Sequence, residues 1–212
     1  MSQPVSFFYK YKFIITFSVV SLFIIGIVSY FILKKPSLDI KYVHNNLKQY
    51  MKDFHKTCED NNILYWADSG TLLGAVREKG IIPHDDDIDI CLYEEDLIRI
   101  LKIYEKDPIY HIVPNHIEKG SIHKIKRRDI DDVFIDLFIV ENVYQNDEKR
   151  IRYKYEVHQK IWPKFYYIEN EVFPIIKTSF EDFEICIPNN PIPYLERGYG
   201  DWKVPVVYGR HN

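Results

Sequence analysis

His84-Asp85-Asp86-Asp87-Ile88-Asp89-Ile90 crowds four carboxylic acids into seven residues and then begins to alternate charge with isoleucine. Successive side chains of a strand face opposite sides, so this spacing puts Asp87 and Asp89 on one face and sends Ile88 and Ile90 into a core. Carboxylates at i and i+2 stand roughly 6.5–7 Å apart along a strand, near enough to bracket a hard divalent cation. Acids this close repel one another when they lack counter-charge, and Mg2+ or Mn2+ relieves that repulsion. A solvated acidic loop is the plainer reading of a charge run, but such a loop has no use for an apolar face. A calcium-binding EF-hand loop fails on its chemistry. Asp85, Asp87 and Asp89 match the first, third and fifth positions, yet the sixth requires Gly and is Ile90, and the twelfth is Asp96 in place of Glu.

Upstream, residues 63–67 read as a short strand leading to Asp68-Ser69-Gly70-Thr71, and 71–79 as a helix that Gly80 is placed to end. Ser69, Gly70 and Thr71 thus stand where free backbone N–H groups and the helix dipole attract a phosphate; an ordinary helix cap has the same composition. Arg77, at the far end of that helix, is positioned to pair with the acids, to touch phosphate, or simply to lie on the surface. Tyr65 and Trp66 belong in the core more readily than stacked on a base. Before them, Val43, Leu47, Tyr50, Met51, Phe54 and Cys58 recur at helical spacing over 38–60.

Downstream, residues 88–92 form a strand and 94–106 a helix with Leu97, Ile100, Leu101 and Tyr104 inward. Strands follow at 109–113, 122–127 and 133–140. Asp136 is the single charge in the apolar run Val133-Phe134-Ile135-Asp136-Leu137-Phe138-Ile139-Val140. A buried carboxylate is costly without a partner, so Asp136 requires a metal, an arginine or a structural ion pair. Asp131 and Asp132 read as solvated turn residues. Alternation puts Lys124, Lys126 and Arg128 on one strand face, directed at a diphosphate or at solvent. Residues 150–168 are expected to be helical, 183–187 a strand, 188–191 a turn and 193–198 a short closing helix. The fold class is α+β, a small mixed sheet flanked by helices.

Residues 13–33 contain no charge. At about 1.5 Å per residue, such a run reaches the thickness of a bilayer's hydrocarbon core. It predicts one transmembrane helix, a signal anchor after a tail of residues 1–12, holding a domain of 37–212 across the membrane from its short tail. In a eukaryotic host that is a type II arrangement in the ER or Golgi. Residues 36–212 carry all 31 acidic but only 24 of the 28 basic residues, which argues against nucleic acid as a partner. Three cysteines without a CxxC pair specify neither a disulfide framework nor a zinc site.

Tyr65-Trp66-Ala67-Asp68-Ser69-Gly70-Thr71-Leu72-Leu73-Gly74-Ala75-Val76-Arg77, followed by Gly80-Ile81-Ile82-Pro83-His84-Asp85-Asp86-Asp87-Ile88-Asp89, closely resembles the LicD family, which includes fukutin and fukutin-related protein. Tyr194-Leu195-Glu196-Arg197-Gly198-Tyr199-Gly200-Asp201-Trp202 resembles its C-terminal signature, so the likeness spans roughly residues 45–205. His84 departs from the family's usual Trp. The resemblance implies a nucleotidyltransferase (polymerase β-like) fold. It also implies a metal-dependent transferase that moves a phosphorylated alcohol, such as phosphocholine or ribitol phosphate, from a CDP-linked donor to a glycan. The family's metal carboxylates fall on Asp87, Asp89 and Asp136.

A two-metal phosphoryl transfer follows as the expected chemistry. Asp87 and Asp89 would hold both ions, and Asp136 would ligate one of them and take the acceptor's proton. Two alternatives use the same residues differently: a nucleotidyltransferase consuming an NTP and releasing pyrophosphate, and an inactive membrane-tethered binding protein.

Overall fold

The computed structural model describes residues 39–114, 122–145 and 147–205. The chain divides into Met1–Asp39 and Ile40–Asn212, and the elements of the described residues lie in the second unit. The tail and the anchor expected over 13–33 lie outside the described residues. Among the described residues, no helix is long and apolar enough to cross a membrane.

The fold is a mixed α+β arrangement around a seven-stranded sheet. At its centre, β2 (Ile88–Tyr93) runs parallel to β5 (Ile130–Gln145). On one side β1 (Tyr65–Ala67) pairs antiparallel with β2; on the other, β4 (His123–Arg127) pairs antiparallel with β5, and β3 (Tyr110–Val113) with β4. β5 is long because it serves two partners. Its first half pairs with β2 and β4, and from Val140 to Gln145 it pairs with β6 (Glu148–Tyr153), which in turn pairs with β7 (Tyr166–Ile168). A separate hairpin joins β8 (Ile176–Phe180) to β9 (Phe183–Ile187).

A parallel pair needs a long crossover, supplied here by α3 (Glu94–Glu105) followed by β3 and β4. The central strands are buried on both faces, hence the near-continuous apolar run of β5. α1 (Ile40–Asp60) packs on β5 and β9, burying Val43, Leu47, Tyr50, Met51, Phe54 and Cys58, the residues that its helical spacing selected. Each large side chain so buried contributes roughly 1.5–3 kcal/mol. Tyr65 and Trp66 are core residues, both essentially inaccessible. Among the described residues the remaining helices are α2 (Ser69–Arg77), α4 (Glu156–Ile161), α5 (Glu169–Val172) and α6 (Ile192–Tyr199).

Three expectations need correction. Residues 150–168 are not a helix but end in strands β6 and β7, with only α4 between them. Ile151 and Tyr153 are buried alternately because the far half of β5 recruits them, and pairing across the sheet overrides weak local preference. Strand β8 was not anticipated. Gly80 does not end α2; Lys79 takes the left-handed turn, at φ 60°, and the Glu181 carboxylate lies against Gly80 where a side chain would start.

Candidate active site

Asp89, the second residue of β2, lies directly opposite Asp136 of β5, and Asp136 lies opposite Lys124 of β4. Side chains paired in this way project from the same face of a sheet, so two acids and a lysine stand in a row across three strands. Asp87, just before β2, adds another carboxylate. One oxygen each from Asp87, Asp89 and Asp136 lie within 4.8 Å of one another. Ile88 and Ile90 are buried, as the alternation demanded. Asp131 and Asp132 are exposed at the start of β5.

The partner that Asp136 required is Lys124. Asp136 is 5% exposed, and its Oδ1 accepts a hydrogen bond from Lys124 Nζ at 2.6 Å. The same ammonium lies 3.4 Å from the centroid of the Phe134 ring. Lys126 is turned to a different task, donating to the Asp131 carbonyl at 2.7 Å. Arg128 falls just beyond β4 and holds the Asp107 carbonyl.

Ser69, Gly70 and Thr71 form the first turn of α2, with Ser69 at φ 41°. Asp68 is the N-cap residue but its side chain makes no capping bond. Asp89 takes that role from the neighbouring strand: its Oδ2 accepts from the Gly70 amide at 3.3 Å, and its own amide donates to Thr71 Oγ1 at 2.8 Å. The positive end of the helix thus faces a carboxylate of the cluster. Gly70 leaves room for a further acid, since a β-carbon there would lie 2.7 Å from Asp85 Oδ2. Arg77 faces elsewhere, bonding Glu78 at 2.7 Å and the Trp202 carbonyl at 2.9 Å.

Sequence reasoning missed the most heavily bonded carboxylate among the described residues. Asp68, fully buried, accepts hydrogen bonds from Tyr153 and Tyr167 at 2.6 Å and from Tyr194 at 2.5 Å, with Ser69 Oγ at 3.2 Å. The rings of Tyr167 and Tyr194 stack 4.0 Å apart. These bonds tie β6, β7 and α6 to the start of α2, and they explain the C-terminal block that carried no physical role in the sequence. Tyr194 binds Asp68, and Arg197 clasps Glu171 at 2.8 and 2.5 Å. The only signal in the sequence was the position of Asp68 beside Ser69-Gly70-Thr71.

The cluster's electrostatics follow from burial and crowding. Burial, then Asp87 and Asp86, push the Asp85 carboxyl up to about 7. Burial, then Asp136 and Asp86, push Asp87 up to about 6, with Lys124 opposing and a hydrogen bond linking it to Asp85. Asp89 is held well above the ordinary carboxylate range by burial and then by Asp87 and Asp136. Asp136 is raised by burial against the pull of Lys124. The phenol of Tyr199, raised by burial and then by Asp89, Asp68, Asp85 and Asp87, belongs to the same surroundings. The donors are all carboxylate oxygens, the set that hard divalent cations favour, and their raised proton affinity registers the repulsion that a cation removes. The residues present fit Mg2+ or Mn2+.

Residues 62–190 match the family model described as LicD/FKTN/FKRP, nucleotidyltransferase domain. An uncharacterised protein of Rickettsia typhi is 36% identical, the match covering 79% of this chain and 50% of the relative. The lipopolysaccharide cholinephosphotransferase LicD of Haemophilus influenzae is 32% identical, over 74% of this chain and 75% of its own. The ribitol-5-phosphate transferase FKTN of Mus musculus is 27% identical, over 80% of this chain and 36% of its own. The chain therefore spans about half the length of the rickettsial relative and about a third of the mouse one.

Proposed function

The chain belongs to the LicD family, and from that premise we propose that it is a metal-dependent transferase with a nucleotidyltransferase fold. It moves a phosphorylated alcohol, of the phosphocholine or ribitol phosphate kind, from a CDP-linked donor to a glycan and releases CMP. The observation that carries this reading is the meeting of Asp87, Asp89 and Asp136, whose oxygens lie within 4.8 Å of one another beside Lys124. The names of two relatives, a cholinephosphotransferase and a ribitol-5-phosphate transferase, support the class of group transferred.

Asp87, Asp89 and Asp136 would hold the divalent ion. When bound, such an ion neutralises the diphosphate and lowers the pKa of an attacking hydroxyl. The protein's own groups supply the rest. Gly70 and Thr71 fix Asp89 through an amide and a hydroxyl, so its carboxylate is set before any substrate arrives. Lys124 presents a positive charge on the same face. The proton leaving the acceptor hydroxyl goes to a carboxylate of the cluster. Asp136, with one oxygen taken by Lys124, has its other oxygen to receive that proton. The uncharged stretch of residues 13–33 anchors the domain to a membrane, where a glycan acceptor is met at the surface.

The test is to incubate the full chain with a panel of CDP-linked alcohols, Mn2+ and glycan acceptors, and to measure CMP. Metal-dependent CMP release with one of these donors is expected. Pyrophosphate from an NTP without CMP release would move the assignment to a nucleotidyltransferase; Mn2+ binding without turnover of any donor would move it to a binding protein.

A further inference from the structure

We propose that Lys124 is itself the second cation of this site, so that the centre takes one divalent ion, held by Asp87, Asp89 and Asp136, beside a tethered ammonium. This rests on the reading of the cluster as a metal-dependent transfer site and sharpens it, since that chemistry by itself leads one to expect two ions.

The case begins with register. Lys124, Asp136 and Asp89 are consecutive partners across β4, β5 and β2, so the lysine's place on this face is set by backbone pairing. Its Nζ stands 2.6 Å from Asp136 Oδ1. Two-ion centres place their metals about 3.5–4 Å apart, with carboxylates shared between them. A second ion at this site would need the carboxylate contributed by β5, and Lys124 is already bonded to it. The ion must then displace the ammonium or sit beside it, and like charges a few ångström apart in a half-buried site repel strongly.

Displacement is resisted on both sides of the bond. The ammonium rests on the Phe134 ring, 3.4 Å from its centroid, an attraction lost if the side chain swings away. Asp136, 5% exposed, would be left without its charged hydrogen-bond donor. The neighbouring cations do not stand in for it. Lys126 holds the Asp131 carbonyl and Arg127 is paired with Asp129. Lys124 also acts on Asp87, whose proton affinity it lowers, so its charge is felt by the carboxylates of both strands. A lysine in this position does part of what a metal does: it offsets negative charge on the cluster and faces an incoming phosphate as a compact point charge. It is a positioning residue that sets how many ions the carboxylates accept.

The experiment counts ions. Mn2+ is titrated into the full-length chain, with and without CDP, and free Mn2+ is followed by electron paramagnetic resonance. The wild type is expected to saturate at one ion per chain in both conditions. Lys124→Met keeps the length of the side chain and removes the charge; it is expected to take a second ion and to hold the first roughly tenfold more tightly. A lysine that merely packed β4 against β5 would give the opposite sign, because a disturbed strand pair binds metal more weakly. Two ions on the wild type would overturn the proposal and leave the metal-centre reading standing, as would unchanged stoichiometry and affinity in a folded Lys124→Met protein. Absence of Mn2+ binding to the wild type would overturn both. The wild-type count decides the matter even if the variant does not fold.

Discussion

Asp68 and Asp89 are held together through their backbones, the amide of Asp68 donating to the carbonyl of Asp89 at 3.0 Å, yet their carboxylates live in opposite surroundings. Asp68 is enclosed by three tyrosine hydroxyls and a serine hydroxyl, all donors. Asp89 is half-buried, but its electrostatic neighbours are Asp87, Asp136, Asp68 and Asp85, all acids, and a backbone amide, that of Gly70, donates to it. The first arrangement satisfies a negative charge and so binds three elements of the fold together. The second leaves charge in excess and so invites a cation. A buried aspartate is therefore structural or functional according to whether donors or other acids face it.

That contrast predicts opposite outcomes for the same substitution. Asp89→Asn preserves shape and removes one of the repelling charges. CMP release is expected to fall by roughly 10²–10³-fold or more, while the metal-free protein unfolds at a temperature raised by a few degrees, corresponding to about 1 kcal/mol. Asp68→Asn replaces an acceptor of tyrosine hydroxyls by a group that is half donor. Its expected cost is about 3–5 kcal/mol of stability, read as a large drop in unfolding midpoint. If Asp68→Asn left the midpoint unchanged and Asp89→Asn lowered it, the distinction between the two carboxylates would be wrong.

A further effect concerns pH. Asp85 and Asp87 rise from an ordinary value of 3.8 to about 7 and about 6 in the folded protein. The folded state therefore binds protons more tightly than the unfolded chain, and this contribution to stability is complete below pH ~4 and lost as pH rises through ~7. In EDTA, the unfolding midpoint of the wild type should fall relative to that of Asp85→Asn across this window. With Mn2+ the loss should vanish above pH ~7, where the ion no longer competes with protons. A difference profile that is flat in EDTA would remove the crowding argument for the cluster.

Much of this was already decided by local sequence. Ile88-Asp89-Ile90 specified a strand with an acid on one face and isoleucines on the other, because side-chain alternation is a property of the backbone alone, whereas Asp87 lies just before that strand. Asp136 in its apolar run announced a buried carboxylate in need of a partner, and the spacing of Val43, Leu47, Met51 and Phe54 specified the face that α1 buries. Tertiary structure alone decided the rest. Parallel pairing put Asp89 against Asp136, 47 positions away, and antiparallel pairing put Lys124 on Asp136 where a metal or an arginine was equally open. It also turned Asp68 inward onto tyrosines that lie 85, 99 and 126 positions along the chain, and drew β6 out of an expected helix. Periodicity comes from the geometry of a single segment, whereas a partner is chosen by register, and register is set only when distant segments pack.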